Sequence, residues 1–338
     1  MNGKHKITNS AVLVTGGAGF IGSNLCELLL KQDNKVICLD NFSTGFRENI
    51  NDFLSHSNFS LIEGDIRDYQ TCQRAIDQVD FVLHQAALGS VPRSINDPMT
   101  TTEVNISGFV NMLHAACEAE VKRFVYASSS SVYGDSNDLP KLENKIGNPL
   151  SPYAVSKLTN EIFAKNFSEL YGIETIGLRY FNVYGQRQNP NGPYAALIPN
   201  FILKLYNHQQ PVINGDGTYS RDFTFIENVL QANQLAALTP RNQIAGEKQF
   251  LAEVFNIACG GSTTVNEILK SLYKECIKYD SNIESIKPIY GKVRKGDVPH
   301  SQADVMKAEK LLGFNPEYDI DTGVEKTCQW YWGRLTNK

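Results

Sequence analysis

The chain has 338 residues, of which 42% are hydrophobic and 20% are charged, as is typical of globular proteins. This length suits one large domain or two interlocked domains. The net charge of -4 and the lack of a basic stripe give no reason to expect nucleic acid as a partner. No apolar run approaches a membrane span and no signal sequence begins the chain, so we expect a cytoplasmic protein without a membrane partner.

The first half of the chain alternates short β-branched runs with longer amphipathic segments such as IGSNLCELLLKQ. Continuous apolar strands with helices between them predict a parallel sheet covered on both faces, which is a doubly wound α/β fold. The predicted strands are AVLVTG (11–16), KVICLD (35–40), FSLIEGD (59–65), DFVLHQAA (80–87) and KRFVYASS (122–129).

The alternation of predicted strands and helices becomes less regular after residue 180. Gly, Pro and Asn cluster there over 184–194 and 213–222. We predict a first α/β domain over 1–180. A smaller α/β region for the substrate is expected over 181–338, with a segment near 223–260 returning to the first domain. The later helices are predicted at 225–238, 264–278, 303–312 and 321–335.

Cysteine and histidine positions bear on metal binding. The seven cysteines are scattered and odd in number and contain no C-x-x-C spacing, which favours reduced thiols over a disulfide framework. The six histidines form no H-x-x-x-H cluster. We therefore expect no metal site.

The segment TGGAGFIG (15–22) follows the first strand and opens the first helix. Gly16, Gly19 and Gly22 lack a Cβ, so the backbone can turn tightly and approach a pyrophosphate at the helix N-terminus. Taken alone, this spacing also fits a plain strand-to-helix turn. Asp40, about 20 residues further on, can hold both ribose hydroxyls and would repel the 2′-phosphate of NADP. The sequence therefore predicts a Rossmann domain with NAD as cofactor.

The next two strand ends carry polar and small residues. Asp65 can accept a hydrogen bond from the adenine amino group, although an Asp at a strand end is often a helix cap, as we expect for Asp68. The segment HQAA (84–87) ends the fourth strand with small residues, so the backbone can lie along a dinucleotide. We expect His84 to be a packed core residue.

The segment YASSSSVYG (126–134) places four serines at the end of a predicted buried strand. Tyr153 and Lys157 lie four residues apart and would share one face of a helix that starts after Pro152. A tyrosine with a pKa of about 10 needs a nearby positive charge to act as a base near neutrality. An isolated Tyr-x-x-x-Lys spacing often occurs on a protein surface by chance. The serine cluster at the carboxyl edge of the sheet instead favours a catalytic site.

Together these motifs resemble the extended short-chain dehydrogenase/reductase superfamily over essentially the whole chain. LRYFNVYG (178–185) and RKGDVPHSQAD (294–304) are similar to nucleotide-sugar 4-epimerases. HQAALGSVPRS (84–94) and NPLSPYAVSK (148–157) resemble the bacterial UDP-N-acetylglucosamine 4-epimerases of surface-polysaccharide pathways. The resemblance implies reversible NAD-dependent 4-epimerisation of UDP-N-acetylglucosamine to UDP-N-acetylgalactosamine through a transient 4-keto sugar.

The resemblance also implies residue roles. Ser129 would supply the catalytic hydroxyl, Tyr153 would be the base and acid, and Lys157 would hold the nicotinamide ribose. NAD would further contact Gly16, Gly19, Phe20, Ile21, Gly22, Asp40, Asn41, Ser43, Gly45, Asp65, Ile66, Gln85, Ala86, Ala87 and Tyr180. The sugar and nearest phosphate would contact Gly89, Ser90, Ser130, Ser131, Asn182, Ala196, Leu197 and Ser301. Arg221 and Arg294 would bind the diphosphate. Asn214 and Asp297 would bind the uridine.

Related activities are distinguished by the residues beside the catalytic hydroxyl. Sugar dehydratases carry an Asp-Glu pair there, and decarboxylases carry a Glu just before VYG. In this chain these positions are serines, including Ser131, so both activities are disfavoured. Epimerisation of UDP-N-acetylglucosaminuronate stays open. The intact Ser129, Tyr153 and Lys157 disfavour an NAD-binding regulator with a dead site.

The family resemblance also implies a homodimer. Two helices, here expected at about 97–118 and 152–171, would form a four-helix bundle with the partner. Either Val110, Leu113, Ile162 and Leu170 supply the apolar contact, or all four face the sheet.

A serine occupies the position that bears on sugar choice. Galactose-type relatives often carry G-D-x-P-x-Y, in which the tyrosine walls the sugar pocket, whereas this chain reads GDVPHS and ends on Ser301. A small residue there opens room for an N-acetyl group, unless a neighbour such as His300 fills the gap.

Overall fold

The computed structural model describes residues 6–191, 195–293 and 298–336. Within these ranges the strands are β1 (Ala11–Thr15), β2 (Lys35–Asp40), β3 (Phe59–Glu63), β4 (Phe81–His84), β5 (Arg123–Ser129), β6 (Thr175–Tyr180), β7 (Val183–Tyr184), β8 (Val212–Asn214), β9 (Ser220–Arg221), β10 (Thr224–Phe225), β11 (Ala252–Ile257), β12 (Thr263–Thr264), β13 (Ile289–Gly291) and β14 (His300–Ser301). The α-helices are α1 (Phe20–Leu30), α2 (Tyr69–Ala75), α3 (Val91–Asn96), α4 (Pro98–Thr102), α5 (Gly108–Glu118), α6 (Pro152–Tyr171), α7 (Leu197–Tyr206), α8 (Ile226–Leu238), α9 (Arg241–Ala245), α10 (Val265–Cys276), α11 (Met306–Leu312) and α12 (Ile320–Thr336). None of the helices in these ranges is long and apolar enough to cross a membrane.

Seven of the strands form one parallel sheet in the order β11-β6-β5-β4-β1-β2-β3. The doubly wound α/β fold predicted from the sequence is confirmed. The register places Thr15 level with Leu39 and His84, and Ser129 level with Tyr180. The strand ends that carry the sequence motifs therefore lie side by side.

The strands β6 and β11 were not predicted, because buried polar residues interrupt their apolar pattern. Arg179 in β6 is 3% exposed and pairs with Glu161. Asn256 in β11 is fully buried and accepts a hydrogen bond from the Tyr133 hydroxyl at 2.6 Å. Such residues are tolerated inside a sheet only when tertiary partners satisfy them, and those partners are far away in the sequence.

Helices cover both faces of the sheet. Leu25 of α1 and Val229 of α8 lie in the apolar core on one face. Phe109 of α5 and Phe167 of α6 lie in the core on the other face. Burial on both faces explains why the strands of the first half read as continuous apolar runs.

The later helices α10 and α12 belong to the same apolar core as α1 and α8, through residues such as Leu272 and Val324. The strand β11 pairs with β6 at the edge of the main sheet. The boundary between a first domain over 1–180 and a second region over 181–338 stays a prediction.

The two helices expected to form a dimer differ in what they expose. A π-helical turn over Glu103–Ser107 joins α4 to α5. Leu113 is fully buried in the core beneath α5, which agrees with the alternative that it faces the sheet and excludes it from a dimer contact. Val110 is partly buried against the same core. On α6, however, Ile162 and Leu170 are 62% and 66% exposed.

Smaller sheets complete the second half of the chain. The strand β9 pairs with β12 and β14, β8 pairs with β13, and β7 pairs with β10. Asp222, which follows β9, joins three of these segments. Its carboxylate accepts hydrogen bonds from the backbone N–H groups of Cys259 at 3.0 Å and Ala303 at 3.2 Å, and its own N–H donates to the Ser301 carbonyl at 2.8 Å. Burial raises the pKa of Asp222 to about 6, although backbone hydrogen bonds oppose the shift.

We predict that Asp222→Ala lowers the free energy of unfolding by about 3 kcal/mol, because buried backbone N–H groups lose their acceptor. Asp216→Ala is the matched control, since Asp216 is exposed and its carboxylate accepts hydrogen bonds from the nearby Thr218. The control should lose less than about 0.5 kcal/mol. Urea denaturation of both variants measures the difference, and equal losses would show that Asp222 does not join these segments.

Candidate functional site

A cleft of about 720 Å³ opens at the carboxyl edge of the parallel sheet. Its lining includes Gly16 after β1, Asp40 at the end of β2, Gln85 after β4, Ser129 at the end of β5 and Tyr180 at the end of β6. Parallel strands all end at one edge, so residues far apart in the chain meet here. The volume is in the range of small-molecule sites.

The glycine-rich loop leaves no room for side chains. Gly16 has a φ of +67°, and a Cβ there would lie 2.8 Å from the backbone nitrogen of Ala86. A Cβ on Gly22 would lie 2.1 Å from the Gly16 carbonyl oxygen, so α1 packs directly on the loop. The helix begins at Phe20 with no side-chain cap from Gly19. The N–H groups of its first turn are therefore left for an anion such as a pyrophosphate.

The Asp40 carboxylate is held rigidly at the cleft wall. It accepts hydrogen bonds from the backbone N–H groups of Ala18 at 2.9 Å and Phe42 at 2.8 Å. Each oxygen keeps a second lone pair that can accept from a ribose hydroxyl. A Cβ on Gly45 would lie 2.9 Å from both oxygens, so Gly45 lies against this carboxylate. Burial raises the pKa of Asp40, against these backbone hydrogen bonds.

Asp65 also lines the cleft, and it is not a helix cap. Its oxygens accept hydrogen bonds from the Arg67 guanidinium at 3.1 and 2.8 Å and from the Asn41 amide at 2.8 Å. The hydrogen bonds from Arg67 lower the pKa of Asp65 to about 2. Asp68 caps α2 through two backbone N–H groups at 3.2 Å, as predicted.

His84 is a packed core histidine, as predicted. It is 2% exposed and stacks on Phe124, with ring centroids 5.5 Å apart. Burial, together with the charge of Lys157, lowers the pKa of His84 to about 3. Its Nδ1 lies 2.9 Å from the Thr15 hydroxyl, which also accepts from the Ala86 N–H at 3.2 Å. A neutral imidazole thus helps to fix the loop that lines the cleft.

Tyr180 belongs to a buried polar group below the cleft. Its hydroxyl accepts a hydrogen bond from the Asn233 amide at 2.9 Å and donates to the side-chain Oε1 of Gln85 at 3.4 Å. Burial raises the pKa of Tyr180 to about 12, so its phenol stays neutral. Asn233 was not recognised in the sequence, because it lies in α8 with no motif around it.

The position of the Tyr-x-x-x-Lys pair follows from the start of α6. Ser151 caps the helix by accepting from the Ala154 N–H at 3.1 Å, and Pro152 takes the first helical position. Tyr153 therefore lies in the first turn and Lys157 one turn later, and both line the cleft. The predicted helix is confirmed.

Lys157 is 3% exposed, and its ammonium donates to the Ala127 carbonyl at 2.7 Å. Burial lowers the pKa of Lys157 to about 8, and the charge of Glu161 opposes that shift. Burial raises the pKa of Tyr153, and a hydrogen bond with the Ser129 hydroxyl opposes this rise. The Ser129 and Tyr153 hydroxyls are thus linked by a hydrogen bond, and Lys157 lines the same cleft.

The four consecutive serines at 128–131 form the ordered end of β5 and the start of the turn that follows it. The Ser128 hydroxyl donates to Glu161 at 2.5 Å, and the Ser129 hydroxyl accepts from the Ser131 N–H at 3.1 Å. The Ser131 hydroxyl oxygen is buried and has no hydrogen-bond partner among the described residues. Ser128, Ser129 and Ser131 therefore have distinct environments, unlike residues of a solvated loop.

The cleft brings together most of the expected site residues. Gly45 and Ser131, as well as Leu197, the first residue of α7, are not part of its lining. Asn214 in β8, Arg221 in β9 and Ser301 in β14 also lie outside this lining. Arg294 and Asp297 lie outside the described residues. The expected residues that line the cleft are Gly16, Gly19, Phe20, Ile21, Gly22, Asp40, Asn41, Ser43, Asp65, Ile66, Gln85, Ala86, Ala87, Gly89, Ser90, Ser129, Ser130, Tyr153, Lys157, Tyr180, Asn182 and Ala196.

Comparison with known proteins gives the family. The model of the NAD dependent epimerase/dehydratase family matches residues 12–258. The chain belongs to this family. A Methanocaldococcus jannaschii protein provisionally named UDP-glucose 4-epimerase is 39% identical over 94% of this chain and 97% of its own length.

Two solved structures of this kind cover nearly the whole chain. The UDP-N-acetylglucosamine 4-epimerase of Methanobrevibacter ruminantium, in complex with UDP-N-acetylmuramic acid, is 36% identical with a TM-score of 0.87, covering 97% of this chain and 100% of that one. The UDP-glucuronic acid 4-epimerase of Bacillus cereus, in complex with UDP-glucuronic acid and NAD, is 29% identical with a TM-score of 0.82, covering 96% of this chain and 98% of that one.

The cofactor of this epimerase-family protein is NAD. The cleft residues fit this cofactor. Gly16 and Gly22 let the loop pack directly on Ala86 and α1, so the N–H groups at the start of α1 can face a pyrophosphate, and the Asp40 carboxylate suits two free ribose hydroxyls.

Proposed function

We propose that this protein interconverts UDP-N-acetylglucosamine and UDP-N-acetylgalactosamine. The protein is an NAD-dependent UDP-sugar 4-epimerase by family and by similarity to solved 4-epimerases. The observation that carries the proposal is that Ser129, Tyr153 and Lys157 line one cleft, with Ser129 hydrogen-bonded to Tyr153. The N-acetylated sugar is supported by Ser301 and by the 36% identity to the Methanobrevibacter enzyme.

In the proposed mechanism, Tyr153 takes the proton from the sugar 4-hydroxyl and later returns it to the same oxygen. Bound NAD⁺ would supply the hydride chemistry at C4, where return of the hydride to the opposite face of the sugar would invert the configuration. Burial opposes formation of the phenolate, so Tyr153 depends on the Lys157 ammonium and on a hydrogen bond from Ser129. No net oxidation occurs, and the 4-keto sugar has to stay bound while it turns.

The remaining substrate contacts are assigned by analogy with the family. Gly89, Ser90, Ser130 and Asn182 line the cleft and would lie beside the sugar. Asn182 has a φ of +35°, a strained value for a residue other than glycine, as is common for residues held at functional sites. Ser131, with its buried hydroxyl, and the cleft-lining Ala196 would join them, with Leu197 next to it.

The nucleotide would be held by residues of the second half. Arg221, in β9, donates through its guanidinium to the carbonyls of Ser220 at 2.9 Å and Pro299 at 3.1 Å. We assign Arg221 and Arg294 to the diphosphate and Asn214 and Asp297 to the uridine. Tight contacts to the nucleotide and weaker contacts to the sugar would let the 4-keto sugar turn without release.

The alternative substrate is UDP-N-acetylglucosaminuronate. The similarity to an epimerase of UDP-glucuronic acid favours an acidic sugar. Relative kcat/KM values for UDP-glucose, UDP-N-acetylglucosamine and its uronate separate the two assignments. We expect the highest value for UDP-N-acetylglucosamine.

We predict that Tyr153→Phe and Ser129→Ala each lower the epimerisation rate on the order of 10²- to 10⁴-fold, because each removes a positioned proton-transfer group. NAD should stay bound in both variants, as measured by its absorbance after denaturation. Tyr171→Phe on the same helix is the control, since Tyr171 is 60% exposed, and it should keep full activity. Wild-type turnover by Tyr153→Phe would refute the assignment.

We predict that Ser301→Tyr lowers kcat/KM for UDP-N-acetylglucosamine roughly 10- to 100-fold by steric exclusion, while UDP-glucose turnover is spared. The ring of His300 is exposed, and its Nδ1 lies 2.8 Å from the Ser220 hydroxyl. His300→Ala therefore tests whether this neighbour limits the pocket instead. If Ser301→Tyr converts UDP-N-acetylglucosamine at the wild-type rate, Ser301 does not control sugar choice.

We further propose a homodimer through α5 and α6, supported by the exposed Ile162 and Leu170. Replacing both residues with Glu should give a monomer by light scattering at micromolar concentration, because charges would enter an apolar contact. The control is Met306→Glu, at a residue that is 68% exposed on α11. A monomeric wild-type protein would exclude the dimer.

A further inference from the structure

Glu161 lies one helical turn after Lys157 on α6 and continues the Tyr-x-x-x-Lys spacing to Tyr-x-x-x-Lys-x-x-x-Glu. Its side chain is only 8% exposed. A carboxylate buried to this degree needs partners that offset the loss of water. None of the steps described above uses Glu161.

The partners of Glu161 come from two neighbouring strands. One carboxylate oxygen accepts from the Ser128 hydroxyl at 2.5 Å and from Nε of Arg179 at 2.9 Å. The other accepts from the Arg179 guanidinium at 2.7 Å. Ser128 and Arg179 are level with each other in β5 and β6, so Glu161 joins α6 to both strands at the edge that bears the cleft.

Ser128 stands between two groups that the site needs. The carbonyl of Ala127 accepts from the Lys157 ammonium, and the hydroxyl of Ser129 bonds to Tyr153. Fixing the Ser128 side chain therefore fixes the backbone that presents both groups. A hydrogen bond to a charged acceptor is stronger than one between neutral groups.

The same network continues beyond β6. Arg179 donates to the Tyr133 hydroxyl at 3.1 Å, and that hydroxyl donates to Asn256. The Asn256 amide donates to the carbonyls of Lys141 and Asp304, each at 2.9 Å. Asp304 lies three residues after Ser301, so these buried hydrogen bonds reach from Glu161 to the segment that we assign to the sugar pocket.

We propose that Glu161 is a positioning residue of the epimerase: it holds Ser128, and through Ser128 it keeps the Ala127 carbonyl and the Ser129 hydroxyl in place for Lys157 and Tyr153. This inference rests on the proposed function of the same site. Glu161 does not touch the substrate and acts only through these neighbours.

Glu161 also affects the pKa of Lys157, together with the other charged groups around that ammonium. On α6, Glu161 raises the pKa of Lys157, while burial lowers it. From β4, His84 faces Lys157 as a neutral ring, because its own pKa is lowered to about 3. From β6, the Arg179 guanidinium adds a positive charge that Glu161 balances. Loss of the Glu161 carboxylate should therefore make the Lys157 ammonium lose its proton at lower pH.

The first test is the pH dependence of kcat in Glu161→Gln. We expect its alkaline limb to move down by roughly one pH unit, as for loss of a neighbouring opposite charge. KM for the UDP-sugar should change less than about twofold, because Glu161 makes no substrate contact. A wild-type profile in this variant would overturn the proposal.

Glu174→Gln is the matched control. Glu174 is a partly buried carboxylate that pairs with Arg123 of β5, at the opposite end of the same strands. Loss of this pair should lower thermal stability without moving the pH profile. A similar shift in both variants would mean that Glu161 acts through stability alone.

Glu161→Gln leaves a buried guanidinium without its counter-charge and could unfold the protein. Ser128→Ala is therefore the second variant, since it removes the hydroxyl and keeps both charges. We expect kcat to fall roughly 10-fold, with KM and the alkaline limb unchanged. Unchanged kcat in Ser128→Ala would show that Ser128 is not the link to the site.

A measurement that does not depend on enzyme activity distinguishes the role of Glu161 from the epimerase assignment. Competitive labelling of amines with acetic anhydride between about pH 6 and pH 10, with mass spectrometry of the Lys157 peptide, follows the neutral amine directly. We expect the Lys157 midpoint to be lower in Glu161→Gln than in wild type. An inactive wild type with this shift would refute the epimerase assignment alone, whereas equal midpoints in an active enzyme would refute the role of Glu161.

Discussion

Burial of the Lys157 ammonium is the constraint on which the site depends. A cation inside the protein is costly, and here a carbonyl at 2.7 Å and a carboxylate one turn away offset that cost. The result is a lysine whose pKa is lowered to about 8, close to the pH at which it has to stay protonated. In the proposed mechanism Tyr153 needs this charge, because its own burial opposes the phenolate. The Ala127 carbonyl and the Glu161 carboxylate thus bear on the proposed chemistry through the charge of Lys157.

The parallel sheet brings these groups together without long loops. Adjacent strands end level with one another, so Thr15 meets His84 and Ser129 meets Tyr180 at one edge. The close packing that Gly16 and Gly22 permit presents the start of α1 to a dinucleotide at one side of that edge. The helix α6 approaches from the other side with its first two turns. A redox cofactor and a proton-transfer group can therefore face the same sugar carbon.

Epimerisation by this mechanism requires two kinds of substrate contact, tight ones to the nucleotide and weaker ones to the sugar. In the proposed mechanism the nucleotide is held while the sugar turns, and the residues that we assign to these two tasks lie in different parts of the fold. Ser129, Tyr153 and Lys157 lie at the sheet edge, while the segments joined by Asp222 contain Arg221 and Ser301. Hydrogen bonds through Asn256 tie Asp304 to the same network as Arg179.

The sequence by itself determined the doubly wound fold, the glycine loop, Asp40 and the Tyr153–Lys157 helix, because each depends on local spacing and local backbone geometry. It did not reveal β6 and β11, whose buried Arg179 and Asn256 are satisfied only by residues distant in the chain. It left open whether Leu113 contacts a partner subunit or faces the sheet, and the structure buries this side chain fully in the core. Helical spacing gives the face of a residue relative to its own helix, whereas only tertiary packing decides what that face meets. The partners of Glu161 were decided in the same way, by packing of α6 against two strands.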